Sequence, residues 1–221
     1  MAETVAERIA DVLGERIVSG ELAPGTPLRQ DRIAEEFQAS HVPAREAFHL
    51  LRSRGLVVNL PRRGVRVSPL DSASIQEIVE IRAALEALAL TVAAPKMNAA
   101  CFEKIEKALL AGDQAQSMID WERANRAFHR ELVTPCKMPK LLSMLDDLQL
   151  ANSRIIYSAS RSAGRQPGSS HAHRQIVSAL RKRQFERAVS LLRAHIQNLE
   201  RTSGDTAGEP REKADDIDNL L

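Results

Sequence analysis

Apolar positions in the first seventy residues come in short, interrupted blocks. Val5, Ile9, Val12 or Leu13, and Ile17 repeat at helical spacing up to Ser19-Gly20, which predicts a first helix ended by glycine. "ELAPGTPL" follows, and its two prolines and glycine predict a turn. Ile33, Ala34 and Phe37 mark one short amphipathic helix. "QAS" breaks it, and Pro43, tolerated in a first helical turn, opens another helix carrying Ala47, Leu50 and Leu51. Two short helices with a tight break fit a helix-turn-helix. Past Gly55, two β-rich runs, Leu56 to Leu60 and Val65 to Ser68, flank Pro-Arg-Arg-Gly and predict a hairpin with an arginine-loaded tip. Residues 1–70 thus read as a winged helix.

From Asp71 onward the period is helical throughout. Six stretches are predicted, about Ser74 to Ala94, Ala99 to Ala111, Gln114 to Val133, Lys140 to Ser160, Ser169 to Lys182 and Phe185 to Thr202. Stripes such as Ile78, Ile81, Leu85, Leu88 and Val92, or Ala188, Leu191, Leu192 and Leu199, imply an antiparallel bundle over residues 71–202. The expected fold class is therefore mainly α, a winged helix with a small hairpin followed by a six-helix bundle. Residues 203–221 carry six acids against Arg211 and Lys213 and are rich in Ser, Gly and Pro, which predicts a disordered tail.

Composition changes this picture only locally. An apolar fraction of 43% with 27% charged residues is that of an ordinary globular chain, and charges interrupt every apolar run well short of a membrane span. The acidic, amphipathic start does not resemble a secretory signal, so the cytoplasm is the expected compartment. Cys101 and Cys136 form no paired motif, which excludes a cysteine cluster. Net charge is only +2, yet Arg45, Arg52, Arg54, Arg62, Arg63 and Arg66 stand against a single acid, Glu46, in their stretch. Such a run is equally a solvated face; here it coincides with the second short helix and the hairpin tip, the parts of a winged helix that meet a major groove and a phosphate backbone. With aromatics at 3%, stacking platforms for single strands are not expected.

The bundle half has no nucleotide loop, nucleophile elbow or carboxylate pair. It does have inward-facing histidines. His129 shares a stripe with Phe128 and Leu132, His173 leads Ile176, Val177 and Leu180, and His195 lies with Leu191, Leu192 and Leu199. Each alone fits a hydrogen-bonded core histidine, but three on three helices can share a cation, and Asn125, one turn from His129, adds an oxygen. His171, near a helix start, is expected in solvent. Arg82 has two readings, an i,i+4 ion pair with Glu86 and a guanidinium clamp for a carboxylate. Ser153, Arg154 and Tyr157 are further polar candidates on the fourth bundle helix.

The stretch "LRQDRIAEEFQASHVPAREAFHLLRSRGLVVNLPRRGVRV" resembles the DNA-binding domain of GntR-type bacterial transcription regulators. That resemblance implies DNA contacts from Ser40, His41, Val42 and Arg45, with Arg62, Arg63 and Gly64 in the wing; Arg29 and Arg52 are added as basic neighbours. His41 stands where the family usually has arginine, so a bidentate base contact is lost there. "IVEIRAALEALALTVAA", "NRAFHRELV" and "HAHRQIVSALRKRQFERAVSLLRAHI" are similar to the FCD effector domain of the FadR-like branch, and six bundle helices suggest its VanR-like subset. This likeness implies Asn125, His129, His173 and His195 as ligands of a divalent metal ion, zinc first, with nickel or another transition metal as alternatives. It also implies that Arg82 faces the same cavity; Arg154 and Tyr157, from their polar positions on the fourth bundle helix, are further effector-binding candidates. Asn125 replaces a frequent aspartate, and Ala172 a usual glutamate.

The expected function is a dimeric, ligand-responsive repressor that reads a short inverted repeat of double-stranded DNA and senses a small carboxylate, with no membrane partner. Two rivals remain at this point, a metal-dependent enzyme built on the three histidines and a structural DNA-binding protein with no effector.

Overall fold

The computed structural model describes residues 3–163 and 170–204. Its first unit holds α1 (Val5–Ser19), α2 (Gln30–Glu36) and α3 (His41–Ser53), with a three-stranded sheet of β1 (Pro27–Leu28), β2 (Val57–Leu60) and β3 (Gly64–Val67). Helix α1 starts at a capping box, in which Thr4 accepts from the Glu7 amide and Glu7 accepts from the Thr4 amide. It stops at Gly20, whose φ of 76° suits a residue without Cβ. The sheet is antiparallel in the order β1-β3-β2, with Val58 opposite Arg66 and Pro27 also opposite Arg66 from the other side. Strand β1 is a correction to the sequence reading, which took "ELAPGTPL" as a turn throughout. Two residues cannot show a period, and Pro27 reads as a breaker although, on an edge strand, its missing N–H costs no ladder bond.

The bundle comprises α4 (Ser72–Ala93), α5 (Ala99–Asp113), α6 (Met118–Val133), α7 (Pro139–Ala163), α8 (His171–Arg181) and α9 (Phe185–Gly204), with short 3-10 turns at Ala94–Lys96 and Thr134–Cys136. The six expected helices are all present. Helix α6 begins four residues later than predicted because Ser117 caps it, accepting from the Asp120 amide. Helix α9 runs through Gly204, two residues into the predicted tail; the remaining tail, 205–221, lies outside the described residues.

Each unit buries its own core. Ile9, Leu13, Ile17, Leu51, Leu56 and Val67 close the winged helix, while Leu90, Ile105, Phe128, Leu132, Leu145, Ile176 and Leu192 fill the bundle. Helix α7 joins them: its Leu150 and Tyr157 pack against the winged-helix core, and Arg154 Nη2 donates to the Ser68 carbonyl at 2.8 Å. Ser68 in turn donates its hydroxyl to the Gly55 carbonyl at 2.7 Å, tying the base of the wing to the end of α3.

Candidate metal centre and nucleic-acid interface

Helix α3 buries Ala44, Ala47, Phe48 and Leu51 and turns its other side outward. Ser40 at its N-cap and His41, Val42, Arg45 and Arg52 are all exposed, as are Arg62, Arg63 and Gly64 at the wing tip, where Arg62 and Gly64 have φ of 61° and 71°. Arg45, Arg62 and Arg63 make no ion pair among the described residues, so their charges face solvent uncompensated. The remaining arginines of the basic run are partly committed: Arg52 to His49 Nδ1 at 3.0 Å, Arg54 to Asp11 at 2.6 Å, and Arg66 to the Gly25 carbonyl at 2.9 Å. Arg29 pairs with Asp31 at 3.3 Å on the surface. Sequence reasoning passed over Gln30, whose amide donates to the His41 carbonyl at 2.7 Å and so fixes the start of α3 against α2. It also passed over His49 and Asn59, which line a cavity of about 240 Å³ beside Arg45 and Arg52. Polar residues at helix and strand positions that face outward carry no periodic signal of their own.

In the bundle, His129, His173 and His195 come together from α6, α8 and α9, with one nitrogen of each within 4.8 Å of the others. His173 Nε2 and His195 Nε2 are 3.0 Å apart, and the His173 ring stacks on Phe128 with centroids 4.1 Å apart. Burial is the main cause that holds both imidazoles neutral, His173 down to about 2 and His195 down to about 3, with the neighbouring imidazoles disfavouring a second charge, Arg82 acting in the same direction and Glu86 opposing.

Glu86 of α4, fully buried, organises the third histidine. Its Oε1 accepts from Arg82 Nε at 2.7 Å, and its Oε2 lies 2.7 Å from His129 Nδ1. Burial alone would raise the Glu86 carboxyl, but the Arg82 guanidinium, then His129, bring it down to about 2. Burial also lowers His129, with Arg82 adding to it and Glu86 opposing. Arg82 suffices to keep Glu86 ionised, so we assign a neutral His129 that donates its Nδ1–H to the carboxylate. Its Nε2 then carries a lone pair, and that atom is buried without a partner. Three neutral imidazoles with one unpaired buried nitrogen and two others face to face are a donor set that fits a divalent cation of the zinc type. Glu86 orients one of them as carboxylates do beside metal-binding histidines. The sequence reading offered Arg82 either an ion pair or a clamp; the structure gives it the pair and leaves its Nη1 buried and unpartnered. The bond from Glu86 to His129, forty-three residues away, had no sequence signal.

The other candidates are distributed unevenly. Asn125 is buried one turn before His129 on the same face of α6. Ser153 donates to the buried Glu122 of α6. Arg154 and Tyr157, expected beside the effector, are engaged at the boundary with the winged helix instead, Arg154 by Ser68 and Tyr157 by the apolar core there. They lie on the side of α7 that the sequence could not assign, because both faces of this helix are buried against something. His171 is exposed, as expected.

Comparison with known proteins agrees with both halves. Residues 5–67 match the bacterial regulatory proteins of the gntR family, and residues 77–198 match the FCD domain. The chain is 30% identical over 199 residues to a probable D-xylose utilization operon transcriptional repressor of Paenarthrobacter nicotinovorans, covering 87% of this chain and 86% of that one. It is 26% identical to the HTH-type transcriptional repressor RspR of Escherichia coli, covering 89% and 88% of the two chains. Its fold is that of E. coli McbR/YncC, with a TM-score of 0.76 at 23% identity over 91% of this chain and 98% of that one. A GntR regulator from Rhodococcus sp. RHA1 gives 0.75 at 21% identity over 89% and 95%. Among the described residues no helix is long and apolar enough to cross a membrane. With an exposed face of α3 and a basic wing on one unit and a buried histidine cluster on the other, the chain belongs to the GntR family of transcription regulators, carries an FCD domain, and is not an enzyme.

Proposed function

We propose that this regulator is a cytoplasmic, homodimeric repressor whose DNA binding responds to a small organic acid held at a metal in the FCD domain. The observation that carries the proposal is the buried cluster itself: three neutral histidines, one with an unpaired Nε2, beside an arginine with an unpaired Nη1. His129, His173 and His195 would hold the metal, with Asn125 as an oxygen ligand. Once bound, the metal supplies positive charge and open coordination positions for a carboxylate oxygen. Arg82 supplies the donor that a second carboxylate oxygen needs.

Ser40, His41, Val42, Arg45 and Arg52, with Arg29 at the edge, form the proposed reading surface for double-stranded DNA, and Arg62, Arg63 and Gly64 the wing contact. Ile81 and Leu88 lie on one face of α4 and are 42% and 48% exposed, which supports pairing with a second copy, hence an inverted repeat as operator. Relatives named as repressors favour repression. Switching requires the acid to bind the DNA-competent and incompetent arrangements unequally. The Arg154 to Ser68 bond supplies a physical link between α7 and the base of the wing.

Fluorescence anisotropy of a labelled fragment from upstream of the protein's own gene tests the reading, with zinc and a panel of small carboxylates added in turn. Affinity for the fragment should change at least several-fold with one of the acids and only in the presence of metal. A DNA affinity indifferent to every acid and to zinc removal would leave a scaffold, not a sensor.

A further inference from the structure

Arg45, Arg62 and Arg63 make no ion pair among the described residues, and exposed apolar side chains stand beside them. Val42, 54% exposed, is three residues before Arg45 on α3, and Leu60, 37% exposed, is two before Arg62 at the end of β2. A cavity of about 240 Å³, with Arg45 and Phe48 on one side and Asn59 and Val65 on the other, joins the helix and the wing into one surface. Cations interleaved with apolar groups are the complement of acids interleaved with apolar groups.

The chain beyond Gly204 contains such a segment. Residues 215–221 read "DDIDNLL", in which Asp215, Asp216 and Asp218 alternate with Ile217, Leu220 and Leu221 and no base intervenes. The point from which it departs is near the wing. Helix α9 runs antiparallel to α4, since Gln197 Nε2 donates to Glu80 Oε1 at 3.2 Å while Thr91 lines one groove with Phe185 and Val189. Gly204 is seven residues beyond Gln197 and Ala73 seven before Glu80, so α9 ends level with the start of α4. Arg63 lies ten residues from Ala73, hence within about 35 Å of it, and Gly204 is one helix spacing of about 10 Å to the side. The fourteen residues from Gly204 to Asp218 span up to about 48 Å, enough to bring the acids to the wing. Gly55, held by Ser68, keeps α3 within the same reach, because Arg45 is about 15 Å along the helix from it.

We propose that the segment 215–221 docks on this face, its aspartates on Arg45, Arg62 and Arg63 and its apolar side chains on Val42 and Leu60, and so competes with DNA. The competition rests on the DNA reading above; the docking does not. A tethered segment needs little intrinsic affinity. At an effective concentration of about 1 mM, a contact with a Kd of about 0.3 mM weakens DNA binding about four-fold.

Two full-length variants test it, one with Asp215→Asn, Asp216→Asn and Asp218→Asn together, the other with Ile217→Ser, Leu220→Ser and Leu221→Ser. Fluorescence anisotropy with the upstream fragment at about 50 mM salt should show both binding about three-fold or more tightly than wild type, with a gap that narrows towards about 200 mM as screening loosens the tail. The second variant has the charge of the wild type, so mere repulsion of DNA by an acidic tail leaves its affinity unchanged; that result overturns the inference. Methyl NMR of Val42 and Leu60 without DNA supplies the independent readout. Their signals should move in both variants, and signals that stay in place overturn the docking. Signals that move while DNA affinity stays the same would keep the tail on the face and show that the DNA reading of that face has failed.

Discussion

Replacing Glu86 by glutamine tests whether the histidine cluster is held as described. The side chain is fully buried between Arg82, 1% exposed, and His129, 0% exposed. The amide keeps the shape but removes the charge, which strands the Arg82 guanidinium in the bundle and weakens the bond that fixes the His129 tautomer. Breaking one side of a buried ion pair costs about 3–5 kcal/mol. Against a total stability of roughly 5–15 kcal/mol this is a large loss. Urea denaturation followed by circular dichroism should show it as a lower midpoint for the bundle. Replacing both partners, Arg82→Met with Glu86→Leu, should recover part of the loss, because no charge then remains unpaired although the buried His129 Nδ1–H still lacks its acceptor. A Glu86→Gln protein within about 1 kcal/mol of wild type, or a double variant less stable than the single one, would refute the reasoning.

Other outcomes follow from the same geometry. His173 and His195 titrate far below the ordinary 6.5 when folded, so the unfolded chain takes up protons first. Stability from the neutral imidazoles is present above pH 6.5 and is lost as pH falls towards 3, about 2 kcal/mol per histidine by pH 5, readable as a falling urea midpoint in metal-free protein. Arg62→Ala with Arg63→Ala should weaken operator binding and flatten the plot of log affinity against log salt by about two per chain, since each arginine releases a counterion; an unchanged slope would remove the wing from the interface. Arg154→Met should leave zinc binding intact while raising hydrogen exchange at the Ser68 amide, which bonds the Leu56 carbonyl at 3.0 Å; unaltered exchange there would deny the link between the domains.

Much of this was legible in the chain because periodicity survives wherever one face is buried. The helix-turn-helix, the arginine tip and the inward set of His129, His173 and His195 all follow from spacing. What escaped had no period to show. Strand β1 is two residues long, and Glu86 looked like half of a local pair with Arg82 although its other oxygen belongs to His129. Arg154 and Tyr157, offered as effector-binding candidates, meet the winged helix, a contact the sequence could not show because a helix clasped between two domains is buried nearly all round and its polar residues do not say which neighbour they serve.

The central claim is that the three histidines act as one metal site. Native mass spectrometry of the protein loaded with zinc, alongside His129→Ala, His173→Ala and His195→Ala, tests it most directly. One zinc per chain in the wild type and a marked loss in each variant is the predicted result; full stoichiometry in all three variants, or no zinc in the wild type, would contradict it.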